Sequence, residues 1–128
     1  MKFYAYTRKI DLPFERALER TRESLQSQGF GILTEIDVQA TMKKKLNKEM
    51  ETYVILGACN PPFAARAIEA EYEIGLLLPC NVIVYQKQKG VFVSTMLPSV
   101  GMSFIKNDAL QQIAQEVEPR LIAAVNAI

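Results

Sequence analysis

The sequence predicts an α+β domain: an antiparallel sheet of about five strands, the first and last helices packed on one face, and two extra short helices. Three features carry that expectation. The elements run strand, helix, strand, helix, strand, helix, strand, strand, helix; the last two strands are joined by a direct hairpin; and the final helix is long and amphipathic. Setting the two middle helices aside as decorations leaves strand, helix, four strands, helix. A parallel doubly wound sheet, the competing architecture, is disfavoured by the hairpin between residues 80 and 96 and by the C-terminal helix.

Each element has its local reason. Residues 2 to 8 (KFYAYTR) alternate, with Phe3, Ala5 and Thr7 on one side and Tyr4 and Tyr6 on the other, which predicts a strand. A helix is expected from Asp11, with Asp11 as N-cap, Pro13 in the first turn, and Phe14, Ala17, Leu18, Thr21 and Leu25 at helical spacing before Gly29. FGILTEIDV alternates Phe30, Ile32, Thr34, Ile36 and Val38 against Gly31, Leu33, Glu35 and Asp37, the pattern of a half-buried strand. VQATMKKKLNKE sets Met42 and Leu46 four apart among lysines, predicting a short surface helix with a narrow apolar stripe.

TYVILGA (52 to 58) is a nearly continuous apolar run, predicting a strand buried on both faces or close to it. Asn60 then stands as an N-cap, Pro61 takes the first helical position, Gly75 follows the last turn, and Phe63, Ala64, Ala67, Ile68 and Tyr72 form the inward side. CNVIVYQK meets VFVSTM through Gln88, Lys89 and Gly90, the clearest hairpin in the chain. LPSVGMSFIKN has no clean period and predicts a loop with apolar residues to dock. A last helix from Asn107 or Asp108 carries Leu110, Ile113, Ala114, Val117, Leu121, Val125 and Ile128 on one stripe, with Pro119 expected to kink or break it.

Composition bounds the function. The 128 residues make one domain, 1 to 128, with 49% apolar and 23% charged residues, an ordinary globular balance. The net charge of +1 gives no overall field for nucleic acid or an anionic membrane, and Lys43, Lys44, Lys45 and Lys48 read as a solvated helix face. The N-terminus is polar within six residues and no apolar run is long enough to cross a bilayer, so a cytoplasmic location with reduced cysteines is expected. Histidine is absent, which excludes histidine-dependent triads and His-ligated zinc or haem.

The chemistry-bearing candidates sit at two Cys-Asn corners, Cys59-Asn60 and Cys80-Asn81. Cys59 precedes a helix start, where unpaired N–H groups favour an anion, so a lowered thiol pKa is one reading and a small buried residue closing a strand is the other. Cys80 follows Pro79 without a helix dipole and reads as packing unless the fold brings it to Cys59. Two cysteines cannot complete a four-ligand metal site alone, although a dimer supplies four. Asn60 as a cap and Asn81 as a backbone partner at a strand entrance have structural explanations. Arg66 either meets an anionic ligand group or forms a surface ion pair. Glu35 and Asp37 read as a solvated strand face. Tyr4, Tyr6, Phe92, Met96, Met102 and Phe104 are core by default, with an apolar pocket or partner surface as the alternative.

FGILTEIDVQATMKKKLN followed by YVILGACNPPFAARAIEAEYEIGLLLPCNVIVY resembles the prokaryotic family called domain of unknown function three-zero-two, in its cysteine-containing ACNP and LLPCNV branch. The resemblance spans nearly the whole chain. It implies the sheet and helices of TATA-box-binding-like and helix-grip folds and a homodimer, and it implies no activity or cofactor. The functional expectation is a non-enzymatic module binding a small ligand or a partner near Cys59, Asn60, Arg66, Cys80 and Asn81. The alternative is a thiol-dependent protein, a redox sensor, sulfur carrier or dimeric metal site, using Cys59 and Cys80. The loop from Leu97 to Phe104 is the expected dimer contact.

Overall fold

The computed structural model describes residues 3–128 and shows the five-stranded antiparallel sheet that the sequence predicts, in the order β1-β5-β4-β3-β2. The strands are β1 (Ala5–Ile10), β2 (Gly31–Asp37), β3 (Tyr53–Cys59), β4 (Cys80–Lys87) and β5 (Gly90–Met96). Helices α1 (Phe14–Ser27), α2 (Val38–Leu46), α3 (Pro61–Ala70), α4 (Pro98–Gly101) and α5 (Asp108–Asn126) join them, with a 3₁₀ segment at Tyr72–Leu77. No helix among the described residues is long and apolar enough to cross a membrane.

Strand registers assign the two faces. One face carries the rows Tyr6–Thr95–Val82–Leu56, Arg8–Val93–Val84–Val54 and Cys80–Ala58–Ile32. Its apolar members are mostly buried beneath α1 and α5, which supply Ala17, Leu18, Leu25, Val117, Leu121 and Val125 to the same core. Ser24 donates to the Ala124 carbonyl and Arg8 to the Val125 carbonyl, fixing the two helices to each other and to β1. The opposite face carries Thr7–Ser94–Ile83–Ile55–Ile36 and a stacked aromatic row, Tyr53, Tyr85 and Phe92, with centroids 5.7 and 5.4 Å apart.

The hairpin turn follows its chemistry. Gln88 and Lys89 both take positive φ, 50° and 69°, the pattern of a two-residue I′ turn whose twist matches the flanking strands. The N-cap of α2 is Asp37, whose carboxylate accepts from the Ala40 amide.

Several sequence expectations are corrected. Strand β1 starts at Ala5, with Phe3 and Tyr4 in a turn; Lys2 lies outside the described residues. Helix α1 starts at Phe14 after Pro13, because Pro13 has extended ψ and Asp11 lies too far back to cap. Strand β2 is an edge strand and largely exposed, not half-buried, and a bulge between Ile32 and Thr34 breaks its alternation. The bulge sends Glu35 to the helix face, where it takes two hydrogen bonds from Arg22 at 2.9 and 2.7 Å. Strand β3 is buried on its helix face, while on the other Gly57 is covered and Tyr53 and Ile55 remain half-exposed.

Helix α3 ends at Ala70, before Gly75, and the extended backbone of Glu71 turns Tyr72 into solvent rather than inward. The segment expected as a loop contains α4, with Pro98 and Met102 buried. Pro119 leaves α5 unbroken. The carbonyl that its missing N–H would have satisfied belongs to Gln115, which lies on the exposed side, where water can bond it.

Candidate functional site

The buried apolar residues form two clusters. The larger lies between the sheet, α1 and the C-terminal half of α5. The smaller joins α3, the 3₁₀ segment, Met102 and the N-terminal half of α5, through Ala67, Ile74, Leu110, Ile113 and Ala114. Phe63 packs against both. At the seam, under Phe63, the chain leaves a cavity of about 320 Å³.

Every wall of this cavity has a local cause. Strands β3 and β4 end there, giving Ala58, Cys59 and Cys80, and Pro79 folds back over the β3 strand. A Cβ at Gly57 would lie 2.8 Å from the Pro79 ring and 2.2 Å from Thr34 Oγ1, so this close approach needs a glycine. Phe30 enters from the turn after α1, and the bulge residue Leu33 stands at the rim. Ala64, Ala67 and Ile68 come from α3, Met102 from the segment after α4, and Ile113, Ala114 and Val117 from α5. The space exists because the inward positions of α3 and α5 facing it include three alanines, whose side chains stop short of the opposite wall. Gly75 lies at the mouth, where a Cβ would meet open space.

The lining is apolar apart from the two thiols and one carboxamide, that of Asn60. Asn60 occupies the N-cap position of α3 yet makes no side-chain cap bond. Its Nδ2 instead reaches the Gln28 carbonyl at 3.5 Å, and its amide packs against Gly29, where a Cβ would come within 3.2 Å of Nδ2. Gly29 has φ of +86°, so a glycine serves both the αL turn and the seat for Asn60. Asn60 thus ties the end of α1 to the start of α3, a role the cap expectation missed.

The two cysteines line the same cavity and are both free thiols. Cys80 opposes Ala58 across the β3–β4 ladder, so Cys59 follows its partner by one residue, near enough to influence its ionisation. Burial, and secondarily the proximity of Cys59, push the Cys80 thiol from an ordinary 9.0 up to about 11, so it stays protonated at neutral pH. No group of three or more Cys, Asp or Glu placed to hold a metal occurs among the described residues. A metal here would rest on the two thiols, or on those of two copies.

Asn81 and Arg66 lie elsewhere. Alternation puts Asn81 on the opposite face of β4 from Cys80, where it is exposed. Arg66 lies on the outer side of α3, bonded to Glu116 of α5 by two contacts of 3.1 and 3.0 Å and placed over the Phe63 ring. Each partner shifts the other: Glu116 raises the Arg66 pKa, and Arg66 lowers that of Glu116. Both groups are exposed, so the pair clamps α3 to α5 weakly. Sequence spacing singled out the Cys-Asn repeats but not Phe30, Ala64, Ala67, Ile113, Ala114 or Val117 as site residues. The one legible signal for them is small residues on the inward sides of α3 and α5.

The chain matches the family model for Domain of unknown function DUF302 over residues 6–128. It is similar to the crystal structure of an uncharacterized conserved protein DUF302 from Bacillus stearothermophilus. The identity is 30%, the TM-score is 0.93, and the match covers 98% of each chain. No curated protein matches it.

Proposed function

This chain belongs to the DUF302 family, and we propose that it is a non-enzymatic binding module that takes a small apolar molecule into the cavity between α3, α5 and the ends of β3 and β4. The observation that carries this reading is the cavity of about 320 Å³ with its nearly all-apolar wall. That size lies within the range of small-molecule sites, and few but placed polar groups are their usual company. At about 30 Å³ for each water-sized atom group, the occupant has about ten heavy atoms.

Binding to the folded state alone raises stability by mass action. Naphthalene, a ten-carbon apolar probe, is therefore expected to raise the melting temperature of the wild-type protein in a saturable manner. Ala64→Leu, which fills the cavity from α3, is expected to weaken that binding at least tenfold while leaving a folded protein. Equal naphthalene binding by both proteins would place the ligand elsewhere and defeat the proposal.

The thiol-dependent reading has one observation in its favour, that Cys59 and Cys80 line one cavity. Against it stands the Cys80 thiol, held protonated well above neutral pH. A protonated thiol is a poor nucleophile.

We also propose that two copies associate in the cytoplasm. The uncovered sheet face supports this: Ile36 and Tyr4 are each 47% exposed, and Ile55, Ile83, Tyr53, Tyr85 and Phe92 are half-buried. Contiguous apolar surface of this kind marks association sites. In the loop from Leu97 to Phe104, Pro98 and Met102 are spent on the protein's own interior, and Phe104 stands out at 70% exposure. The expected sedimentation result is a dimer that Ile36→Lys with Tyr85→Lys converts to a monomer; a wild-type monomer at high micromolar concentration would refute the association.

A further inference from the structure

Asn60 is a polar side chain with most of its hydrogen-bonding capacity unused. It is only 8% exposed and lines the cavity. Its Nδ2 points to the Gln28 carbonyl at 3.5 Å, a long contact that leaves Oδ1 as the end without a partner. Oδ1 accepts neither from the α3 amides nor from any side chain. Among the described residues, no sealed-in side-chain nitrogen or oxygen lacks a partner, so the unpartnered Oδ1 keeps some accessible surface, on a residue that lines the cavity.

The start of α3 adds a donor. Pro61 and Pro62 have no amide hydrogen, and the Ala64 amide already bonds the Asn60 carbonyl. The Phe63 amide falls between them and makes no backbone hydrogen bond. An asparagine at an N-cap ordinarily takes up such an amide with its own oxygen. Here the acceptor is turned to another place and both groups remain free, at the same end of the same helix.

A buried acceptor that stays unpaired is costly, and a ligand that pairs it gains correspondingly. An alkane or arene inside the cavity would strip water from Oδ1 and give nothing back. A carboxylate would bring a charge into an apolar space and set oxygen against oxygen. A hydroxyl donates to Asn60 Oδ1 and offers lone pairs to an amide donor such as that of Phe63. We propose that the ligand is an uncharged apolar alcohol or phenol of about ten heavy atoms, its hydroxyl donating to Asn60 Oδ1 and its hydrocarbon body filling the space toward Ala67 and Ile113. This inference rests on the cavity's being a binding site and adds which chemical class it selects.

Octan-1-ol and heptyl methyl ether are isomers with the same number of heavy atoms, and only the alcohol has a donor. Calorimetric titration of the wild-type protein should show the alcohol binding about 5-fold tighter, the worth of one net hydrogen bond. Asn60→Leu should bring the alcohol down to the ether's affinity and leave the ether within about twofold, which also reports that the cavity is intact. Asn60→Asp keeps an acceptor and should keep the preference for the alcohol. Equal affinities in the wild type, or an Asn60→Leu loss shared by both probes, would overturn the selectivity while leaving the cavity reading in place. Binding of neither probe to the wild type would overturn both.

Discussion

Phe30→Ala is expected to cost about 3–5 kcal/mol of folding stability, the largest loss for any single truncation around the cavity. Phe30 is 1% exposed and is among the largest fully buried side chains in the protein. It packs in the main core and also forms a wall of the cavity, so its ring cannot be replaced by a collapse of neighbours from one side alone. Its backbone is fixed as well, with the Phe30 amide donating to the Leu25 carbonyl directly after the αL turn at Gly29. The void left by the ring should therefore merge with the existing space. Urea unfolding would show a lower midpoint with an unchanged slope. The same variant should bind a three-ring arene such as anthracene more tightly than the wild type does, because the merged cavity is longer. A loss below about 1 kcal/mol, or no gain for the larger arene, would show that the site relaxes around Phe30 instead of being held open by it.

The double role of Phe30 explains how the sequence describes the fold better than the site. Local chemistry places the elements: the I′ turn at Gln88–Lys89, the spacing of Ala17, Leu18 and Leu25 in α1, and the heptad-like stripe of α5 each act within a few residues. What decides the misplaced features acts across the chain. The bulge at Leu33 leaves no mark on the hydrophobic pattern, yet it moves Glu35 to the face where Arg22 meets it. The alternation of FGILTEIDV is a sound local signal whose phase is reset by pairing with β3. Asn60 shows the same limit: its spacing fits a cap, but Gly29 and the Gln28 carbonyl, some thirty residues earlier, offer its amide another partner. A cavity is still harder to foresee, being a place where side chains from several elements do not meet. The Cys-Asn repeats mark its corner because strands end there, and alternation then divides them, placing Cys80 at the cavity and Asn81 on the far side of the sheet.

Raising the pH from 9 to 11 should remove about 2 kcal/mol of stability through Cys80 alone, at up to about 1.4 kcal/mol for each pH unit over which the folded thiol keeps a proton that the unfolded one has lost. The sign follows from which state holds the proton. In the unfolded chain the thiol ionises near its ordinary 9.0, whereas in the folded protein burial, with Cys59 nearby, holds it protonated up to about 11. Between these values the folded state binds more protons than the unfolded state, so stability falls as pH rises; below pH 9 the contribution is fully present. Tyrosines and lysines titrate in the same window, so the measurement is a difference between the wild-type protein and Cys80→Ala, in which those groups cancel. The two stability curves should run parallel from pH 7 to about 8.5 and then converge, or cross, as the wild type loses its extra stability of about 2 kcal/mol. Because burial is the leading cause, Cys59→Ala should preserve most of the effect. Alkylation of Cys80 by iodoacetamide at pH 8 should correspondingly be slow, limited by its small thiolate fraction. A pH-independent difference together with rapid alkylation in the folded state would instead describe an accessible thiolate, and would move the balance of function from an apolar binding cavity toward thiol chemistry.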